Sequence, residues 1–218
     1  MKTAILFLGL PGCGKGTQSK IILNIFGITS YSIGDLLRAY VESNASDSTD
    51  VKNMIQNGFI IPGELVNSIV LKLLNDVSKV CILDGYPRNL EQASFLNDCN
   101  DINIVPIYFK LDENLLLDRI QNRWQCKGCG LIYDARLLNL EISEFKCLEC
   151  NSTQLYRRSD DNYEVLQNRI EQFAKHTAPV LNFYRDLELL YEVDGAQDVN
   201  KVSMDLSEII KNLDIDIK

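Results

Sequence analysis

The sequence predicts an α/β fold in which a central parallel β-sheet lies between two layers of helices. Three apolar runs support this prediction, at residues 4–8, 80–84 and 104–111. Such uninterrupted runs are typical of parallel strands that are buried on both faces. Helical segments are predicted after the first and third runs, and helices that connect parallel strands cover both faces of the sheet.

The composition limits the possible functions. The 218 residues can bury a sizeable core, as one domain with insertions or as two domains. The formal net charge of −8 opposes a protein whose main role is to bind the nucleic acid backbone. No apolar stretch approaches the length of a membrane span, and the N-terminal residues show no signal-peptide cleavage pattern. We therefore expect a cytoplasmic chain with neither a nucleic acid nor a membrane partner.

The loop after the first strand carries the strongest functional signal. Its glycines let the backbone turn tightly around an anion, and the helix predicted over Lys15–Phe26 points its N-terminal amides into the loop. Lys15 adds the point charge that a β- or γ-phosphate needs. Gly16 occupies the usual Ser/Thr position of a phosphate loop, and the hydroxyl follows at Thr17. We interpret Cys13, within this loop, and Cys81 as small buried residues rather than nucleophiles.

The loop GLPGCGKGT resembles that of adenylate kinases and their nucleoside monophosphate kinase relatives. The resemblance implies a three-layer P-loop nucleoside triphosphate hydrolase-like fold with a helical acceptor-binding insertion and a small β lid. It also implies that ATP is bound by Gly12, Cys13, Gly14, Lys15, Gly16 and Thr17.

The next segment resembles the lobe that holds the acceptor nucleotide. A short strand or turn at 29–32 precedes a helix with Asp35 near its start, 44–50 is polar and predicted to be a loop, and 51–57 is a short helix closed by Gly58. By resemblance Arg38 contacts the acceptor phosphate, and the backbone around Ile61 forms a wall of the adenine pocket. Ile33 matches a position where many relatives contact the base with a hydroxyl, which Ile lacks.

The second apolar run ends in Asp84, at an edge where Mg2+ would need oxygen ligands, here through waters. The following Gly85-Tyr-Pro-Arg88 completes a sequence similar to the DGFPR signature of adenylate kinases, which places Gly85 and Arg88 at the acceptor. Gln92 matches the amide that reads AMP in adenylate kinases, where uridylate/cytidylate kinases tend to carry Asn.

After the third run, Asp112 is predicted to cap a helix on which Arg119 and Arg123 project from the same side. Two adjacent guanidiniums repel one another unless an anion lies between them, and a triphosphate would supply that anion. Relatives use both positions on ATP, with the first also lying against the donor base.

Two CxxC pairs, Cys126/Cys129 and Cys147/Cys150, predict a closed tetrahedral zinc site with a structural role. The segment is too short for a core of its own and would depend on the metal to fold. It resembles the zinc-bearing lid of many bacterial adenylate kinases. In relatives the position of Tyr133 lies near the donor base.

The segment after the lid resembles the family's RxDD pattern followed by an arginine. By that resemblance Arg158 and Arg169 reach the phosphates when the lid closes, and Asp160 and Asp161 orient those arginines. A helix is predicted over 163–176, a short strand and turn over 191–195, and an amphipathic helix over 199–213. The single histidine, His176, has no catalytic role in this chemistry.

These features predict an adenylate kinase that transfers a phosphoryl group between Mg-ATP and AMP and yields two ADP. The acceptor phosphate is already anionic, so no general base is needed. The predicted catalytic residues are Lys15, Arg88, Arg123, Arg158 and Arg169. We expect a monomer with a core at 1–31, 62–124 and 162–218, an acceptor lobe at 32–61 and a lid at 125–161.

Two alternatives remain open from the sequence. A uridylate or cytidylate acceptor is favoured by Ile33 and opposed by Gln92. The second alternative is a nucleotide-gated zinc-ribbon module that binds nucleic acid or protein. The acidic chain opposes it, and so does the lack of interleaved basic and aromatic residues between the two CxxC pairs. The preference for ATP or GTP as donor also remains open.

Overall fold

The computed structural model describes residues 1–43, 48–138, 145–213 and 215. The strands in this part of the chain are β1 (Lys2–Leu8), β2 (Thr29–Ser32), β3 (Val80–Asp84), β4 (Ile102–Lys110), β5 (Arg123–Cys126), β6 (Ile132–Asp134), β7 (Leu155–Tyr156) and β8 (Tyr191–Asp194). The helices are α1 (Lys15–Phe26), α2 (Ile33–Glu42), α3 (Ser48–Gln56), α4 (Gly63–Asp76), α5 (Leu90–Asn97), α6 (Glu113–Gln121), α7 (Tyr163–Gln172), α8 (Ala178–Asp186) and α9 (Val199–Asn212).

Five of these strands form one parallel sheet in the order β2-β3-β1-β4-β8. The predicted α/β fold with a central parallel sheet is therefore confirmed. β1 is the middle strand, and Phe7 is in register with Asp84 of β3. The amide of Gly85 donates to the Phe7 carbonyl at 3.2 Å. This pairing places the phosphate loop after β1 next to the end of β3.

Alternate residues of β1 enter two different apolar cores. Ala4, Leu6 and Leu8 pack in a cluster with side chains from α4, α5 and α8. Ile5 and Phe7 face the opposite cluster, which includes side chains of α1, α6 and α9. All five side chains are essentially inaccessible to solvent. The helix–sheet–helix layering thus follows from a strand that is apolar on both faces.

The small strands form a second, antiparallel sheet in the order β6-β5-β7. Arg123 is in register with Asp134, so this sheet begins at Arg123, immediately after the end of α6. Phe145 packs with the cysteines Cys126 and Cys147 as the buried residues of a separate small cluster. The predicted small β lid is therefore present, and its apolar core is minimal among the residues that the structure describes there.

Three predicted boundaries were wrong. Helix α3 begins at Ser48 and not at Val51, because the Ser, Thr and Asp that suggested a loop also favour the first turn of a helix. The rest of the predicted loop, residues 44–47, lies outside the described residues. The helix predicted over 163–176 ends at Gln172 and continues as a π-helical turn, Phe173–Thr177, into α8. Helix α6 ends at Gln121, so Arg123 lies on a strand and does not share a helix face with Arg119.

None of the helices in the described part of the chain is long and apolar enough to cross a membrane.

Candidate active site

A cleft of about 690 Å³ opens at the carboxyl ends of the sheet strands, between the phosphate loop, helix α2 and the small sheet. Positive charge dominates its wall although the whole chain is acidic. The cationic residues of the wall are Lys15, Lys20, Arg38, Arg88, Arg119, Arg123, Arg158 and Arg169. The acidic residues of the wall are Asp35, Asp84 and Asp134. Such a surface suits a ligand with several negative charges.

The phosphate loop presents backbone amides to the cleft. Helix α1 starts after Gly14, whose φ of 106° lies in the left-handed region, and no side chain caps its first amides. Helices α2, α5, α6, α7 and α9, in contrast, have a side-chain cap. The Lys15 ammonium is held over the loop by the carbonyls of Gly9 and Leu10, at 2.9 and 3.0 Å. The uncapped helix end and Lys15 together form an anion site.

Asp84 ends β3 beside this loop. A Cβ atom on Gly16 would lie 4.0 Å from Asp84 Oδ2, so the carboxylate directly adjoins the glycine at the usual hydroxyl position. Burial raises the pKa of Asp84, while the nearby Lys15 and Arg88 act to lower it. A carboxylate in this position can serve the outer shell of a hard cation.

Arg88 lies across the cleft from the loop. Its Nε donates to the Gly85 carbonyl at 3.0 Å, and the Thr177 hydroxyl donates to the Arg88 carbonyl at 2.8 Å. The residue as a whole is exposed, but protein atoms crowd its guanidinium, and this desolvation together with Arg169 lowers the pKa of Arg88 to about 10. Arg88 therefore remains charged at neutral pH.

Two aspartates connect arginines from different segments. Asp35 of α2 binds Arg38 on the same helix and lies 3.3 Å from the Arg158 guanidinium. Burial opposes ionisation of Asp35, but Arg38 and Arg158 outweigh it and lower the pKa of this carboxyl. Asp160 in turn hydrogen-bonds Arg169 and lies 3.7 Å from Arg38. Helix α2 and residues 158–169 thus share their ion-pair partners.

The roles expected for Asp160 and Asp161 are met only in part. Asp160 orients Arg169, as expected, but neither aspartate pairs with Arg158. Asp161 binds Arg123 through two hydrogen bonds instead, and both side chains are buried. The charge of Arg123 is therefore neutralised by the Asp161 carboxylate. The expectation that a ligand anion must lie between Arg119 and Arg123 to offset their repulsion was wrong.

Other expected site residues differ in their access to the cleft. Ile33 and Ile61 are buried in the core and do not line it, although the neighbouring Ile60 and Gly34 do. Gln92 is also buried, and its side-chain oxygen accepts the Arg88 amide at 2.7 Å. The remaining site residues given by the resemblance, Gly12–Thr17, Arg38, Gly85, Arg119, Tyr133, Arg158 and Arg169 among them, all line the cleft.

Tyr133 lines the cleft, but its ring packs edge-on against Phe145, with the ring centres 4.9 Å apart, and its hydroxyl faces the cysteine cluster. The hydroxyl donates to Cys147 Sγ at 3.2 Å and accepts the Leu148 amide at 3.0 Å. The Tyr133 hydroxyl is therefore engaged on the lid side and is not free to bind a ligand.

The four cysteines of the two CxxC pairs converge on one point. Their sulfurs all lie within 4.8 Å of one another, and the distances Cys126–Cys150 and Cys129–Cys147 are both 3.6 Å. A tetrahedral zinc with Zn–S bonds of about 2.3 Å would separate its sulfurs by roughly 3.8 Å, so this donor set fits such a metal. Both pairs also share a turn, in which the next residue, Gly130 or Asn151, has positive φ and donates its amide to the first cysteine's carbonyl.

Sequence reasoning missed two polar residues of the cleft wall. Asp35 was noted merely as a helix-start residue, although its carboxylate holds two arginines. Gln125 was not noted at all, and its side chain binds Arg158. Since Asp is common at helix starts and Gln125 belongs to no motif, neither had a signal in the sequence.

The fold and the cleft define a P-loop nucleotide-binding enzyme with a phosphate loop, an opposing set of arginines and a separate lid. The family model for adenylate kinase matches residues 7–189. Curated adenylate kinases match nearly the whole chain: that of Rickettsia africae is 36% identical over 95% of this chain and 98% of its own length, and that of Rickettsia bellii is 37% identical over the same shares. The chain belongs to the adenylate kinase family.

Members of this family are ATP:AMP phosphotransferases that use Mg2+ with ATP. The assignment confirms the predicted nucleoside monophosphate kinase and favours neither a uridylate/cytidylate kinase nor a zinc-ribbon binding module. The four-cysteine cluster is compatible with a structural zinc.

Proposed function

We propose that the cleft transfers the γ-phosphoryl group of Mg-ATP directly to AMP, in line, with the phosphate loop on the donor side and Arg88 on the acceptor side. One observation carries this proposal. Among the cations of the cleft wall, no carboxylate of the described residues lies within ion-pairing distance of Lys15, Lys20, Arg88 or Arg119, whereas Arg38, Arg123, Arg158 and Arg169 each have one. Four cations of one cleft thus lack an ion-pair partner, an arrangement that suits a polyanion, and two nucleotides supply it.

On the donor side, the loop residues Gly12–Thr17 bind the phosphates of ATP through their amides, and Lys15 neutralises them. Arg119 and the ring of Tyr133 lie against the donor base, and Arg123, fixed by Asp161, reaches the transferring group. Mg2+, when bound, neutralises the phosphate oxygens, and Asp84 would hold it through waters.

On the acceptor side, Arg38 and Arg88 bind the AMP phosphate. The backbone near Ile33, Ile61 and Gly85 supports the adenine, because the side chains of Ile33 and Ile61 are packed in the core. A contact of Gln92 with the base would use its amide nitrogen, since its oxygen is bound to Arg88. Arg158 and Arg169 complete the cation set around the transferring phosphoryl group.

The chemistry needs no proton acceptor because the attacking phosphate oxygen is already anionic. The protein therefore has to align the two phosphates, neutralise the developing charge and keep water out. The lid helps to keep water out, because Lys20 of α1 binds the Cys129 carbonyl at 2.6 Å and Ile132 packs close to Gly16 of the loop. We infer that opening and closing the lid breaks and re-forms such contacts.

We also infer the division of the chain into a core (1–31, 62–124, 162–218), an acceptor lobe (32–61) and a lid (125–161). In this scheme zinc bound by Cys126, Cys129, Cys147 and Cys150 stabilises the lid and takes no part in the transfer, because four thiolates leave no open position. The expected working form is a cytoplasmic monomer.

Arg88→Ala tests the proposal. Loss of a donor to the transferring group costs about 2.7–4 kcal/mol, so kcat for ADP formation should fall about 10²–10³-fold with the fold unchanged. Arg185→Ala is the matched control, because Arg185 is an exposed arginine paired with Glu192 outside the cleft. Turnover of Arg88→Ala within a few-fold of the parent protein would refute the assigned role.

A further inference from the structure

Gln125 lies on the central strand of the lid sheet, and both the oxygen and the nitrogen of its side-chain amide are hydrogen-bonded. It is a residue of β5, and it is 7% exposed. Its Oε1 accepts hydrogen bonds from the Tyr156 hydroxyl and from Arg158 Nε, both at 2.8 Å. Its Nε2 donates to the Gly130 carbonyl at 3.1 Å. A single side chain thus joins Arg158 to the turn that follows Cys129.

A buried amide is an unusual choice at this position. Gln125 lines the cleft and is nevertheless buried, and a buried amide is tolerated only when its polar atoms find partners. Gln125 meets that condition, and one of its partners is a cation of the cleft. The hydrogen bond to Arg158 therefore requires an explanation beyond packing.

The contacts of Arg158 indicate what this hydrogen bond does. Gln125 engages Nε, which leaves the outer nitrogens of the guanidinium facing the cleft, where one of them lies 3.3 Å from Asp35. Because Gln125 is neutral, it orients the guanidinium without compensating its charge. A carboxylate at the same place would do both, as Asp161 does for Arg123. Arg158 already shares Asp35 with Arg38, so a neutral partner at Nε adds no second compensating charge and leaves the guanidinium attractive to a phosphate.

We propose that Gln125 is a positioning residue of the phosphoryl transfer: it holds Arg158 in its reactive orientation and ties that orientation to the metal-binding turn through Gly130. This inference rests on the proposed role of Arg158. It assigns no substrate contact to Gln125 itself.

Gln125→Met tests it, because Met has a similar length but neither accepts nor donates these hydrogen bonds. We expect kcat for ADP formation to fall at least about five-fold, with a smaller change in KM, since a hydrogen bond to a charged group is lost. In the background of Arg158→Ala the same substitution should have no further effect on kcat/KM. Gln154→Met is the matched control, an exposed glutamine of the same lid, and it should match the parent enzyme.

The double mutant separates positioning from a merely structural role. If Gln125→Met slows the Arg158→Ala enzyme by the same factor as the parent, or leaves kcat/KM of the parent within two-fold, the inference is wrong. If Arg158→Ala itself has normal activity, the proposed role of Arg158 fails as well, and the two failures are thus distinguishable.

Metal content and the melting temperature are measured for each variant. Should Gln125→Met lose its metal, Gln125→Glu replaces it in the same cycle, because Glu keeps the accepting oxygen but compensates the charge of Arg158. A decrease in kcat that disappears in the Arg158→Ala background again supports the inference, and an unchanged kcat overturns it.

Discussion

Asp161 binds the guanidinium of Arg123 through two parallel hydrogen bonds, one of them from Nε to Oδ2 at 2.8 Å. Arg123 is 9% exposed and Asp161 8%, so the pair is shielded from water. It joins the first residue of the lid sheet to the segment that leads into α7. The pair fixes an arginine of the cleft and, at the same time, the place where the lid leaves the core.

Asp161→Ala should destabilise the protein strongly. Removing one partner of a buried ion pair leaves an uncompensated charge, which costs about 3–5 kcal/mol in the free energy of unfolding. Urea unfolding at neutral pH measures the change. The exposed Asp186 supplies the control, and Asp186→Ala should stay within about 0.5 kcal/mol of the parent protein. A loss of under about 1 kcal/mol for Asp161→Ala would mean that water reaches the pair.

Asp160 should make stability depend on pH in the acid range. Burial opposes its ionisation, but Arg169 and Arg38 outweigh burial and lower its pKa in the folded protein. A carboxyl whose folded pKa is depressed stabilises the fold above its unfolded pKa of about 3.9, and that contribution is lost as the pH falls through the folded pKa. The parent protein should therefore have a larger free energy of unfolding than Asp160→Asn. This difference should be constant from pH 7 to about 5 and should shrink below about pH 4.

Urea unfolding of the two proteins in parallel at each pH gives this difference directly, and effects common to both cancel. A difference that grows as the pH falls below about 4 would have the wrong sign and would contradict the assigned ion pairs.

Metal removal should affect the lid first. Cys147→Ser removes one of the four sulfurs, and we expect it to abolish stoichiometric zinc binding and lower the melting temperature, because few apolar residues are buried in the part of the lid that the structure describes. Elemental analysis and calorimetry give both quantities. Cys99→Ser, at a cysteine outside the cluster, should keep one metal per chain. Equal metal content in the two variants would exclude the four-sulfur site.

The sequence predicted those parts of the structure that local chemistry determines. The strand Val80–Asp84 and the helix Lys15–Phe26 have the predicted bounds, and the Asp112 side chain caps α6 through the Asn114 amide. These features depend on residue patterns within a few positions. The two CxxC pairs also converged as predicted, and each pair has the same local turn.

The pairing of arginines with carboxylates could not be predicted, since it depends on contacts between distant segments. Arg158 is hydrogen-bonded to Asp35, which is 123 residues away in the sequence, and to Gln125, which is 33 residues away. The spacing of four between Arg119 and Arg123 wrongly predicted that they share a helix face, for the same reason. Helix α6 ends at Gln121, and the chain then begins the lid sheet. Tertiary pairing outweighed the local pattern there.

The most direct test of the whole account is the choice of acceptor. We would measure diphosphate formation from Mg-ATP with AMP, UMP, CMP and GMP, each over a range of concentrations. The value of kcat/KM for AMP should exceed that for every other acceptor by at least about ten-fold. This result would mean that Ile33, at a position where many relatives have a hydroxyl, does not change the choice of acceptor. A preference for UMP or CMP would contradict AMP as the acceptor while leaving the phosphoryl-transfer site in place, and no diphosphate from any of the four would contradict the proposed reaction itself.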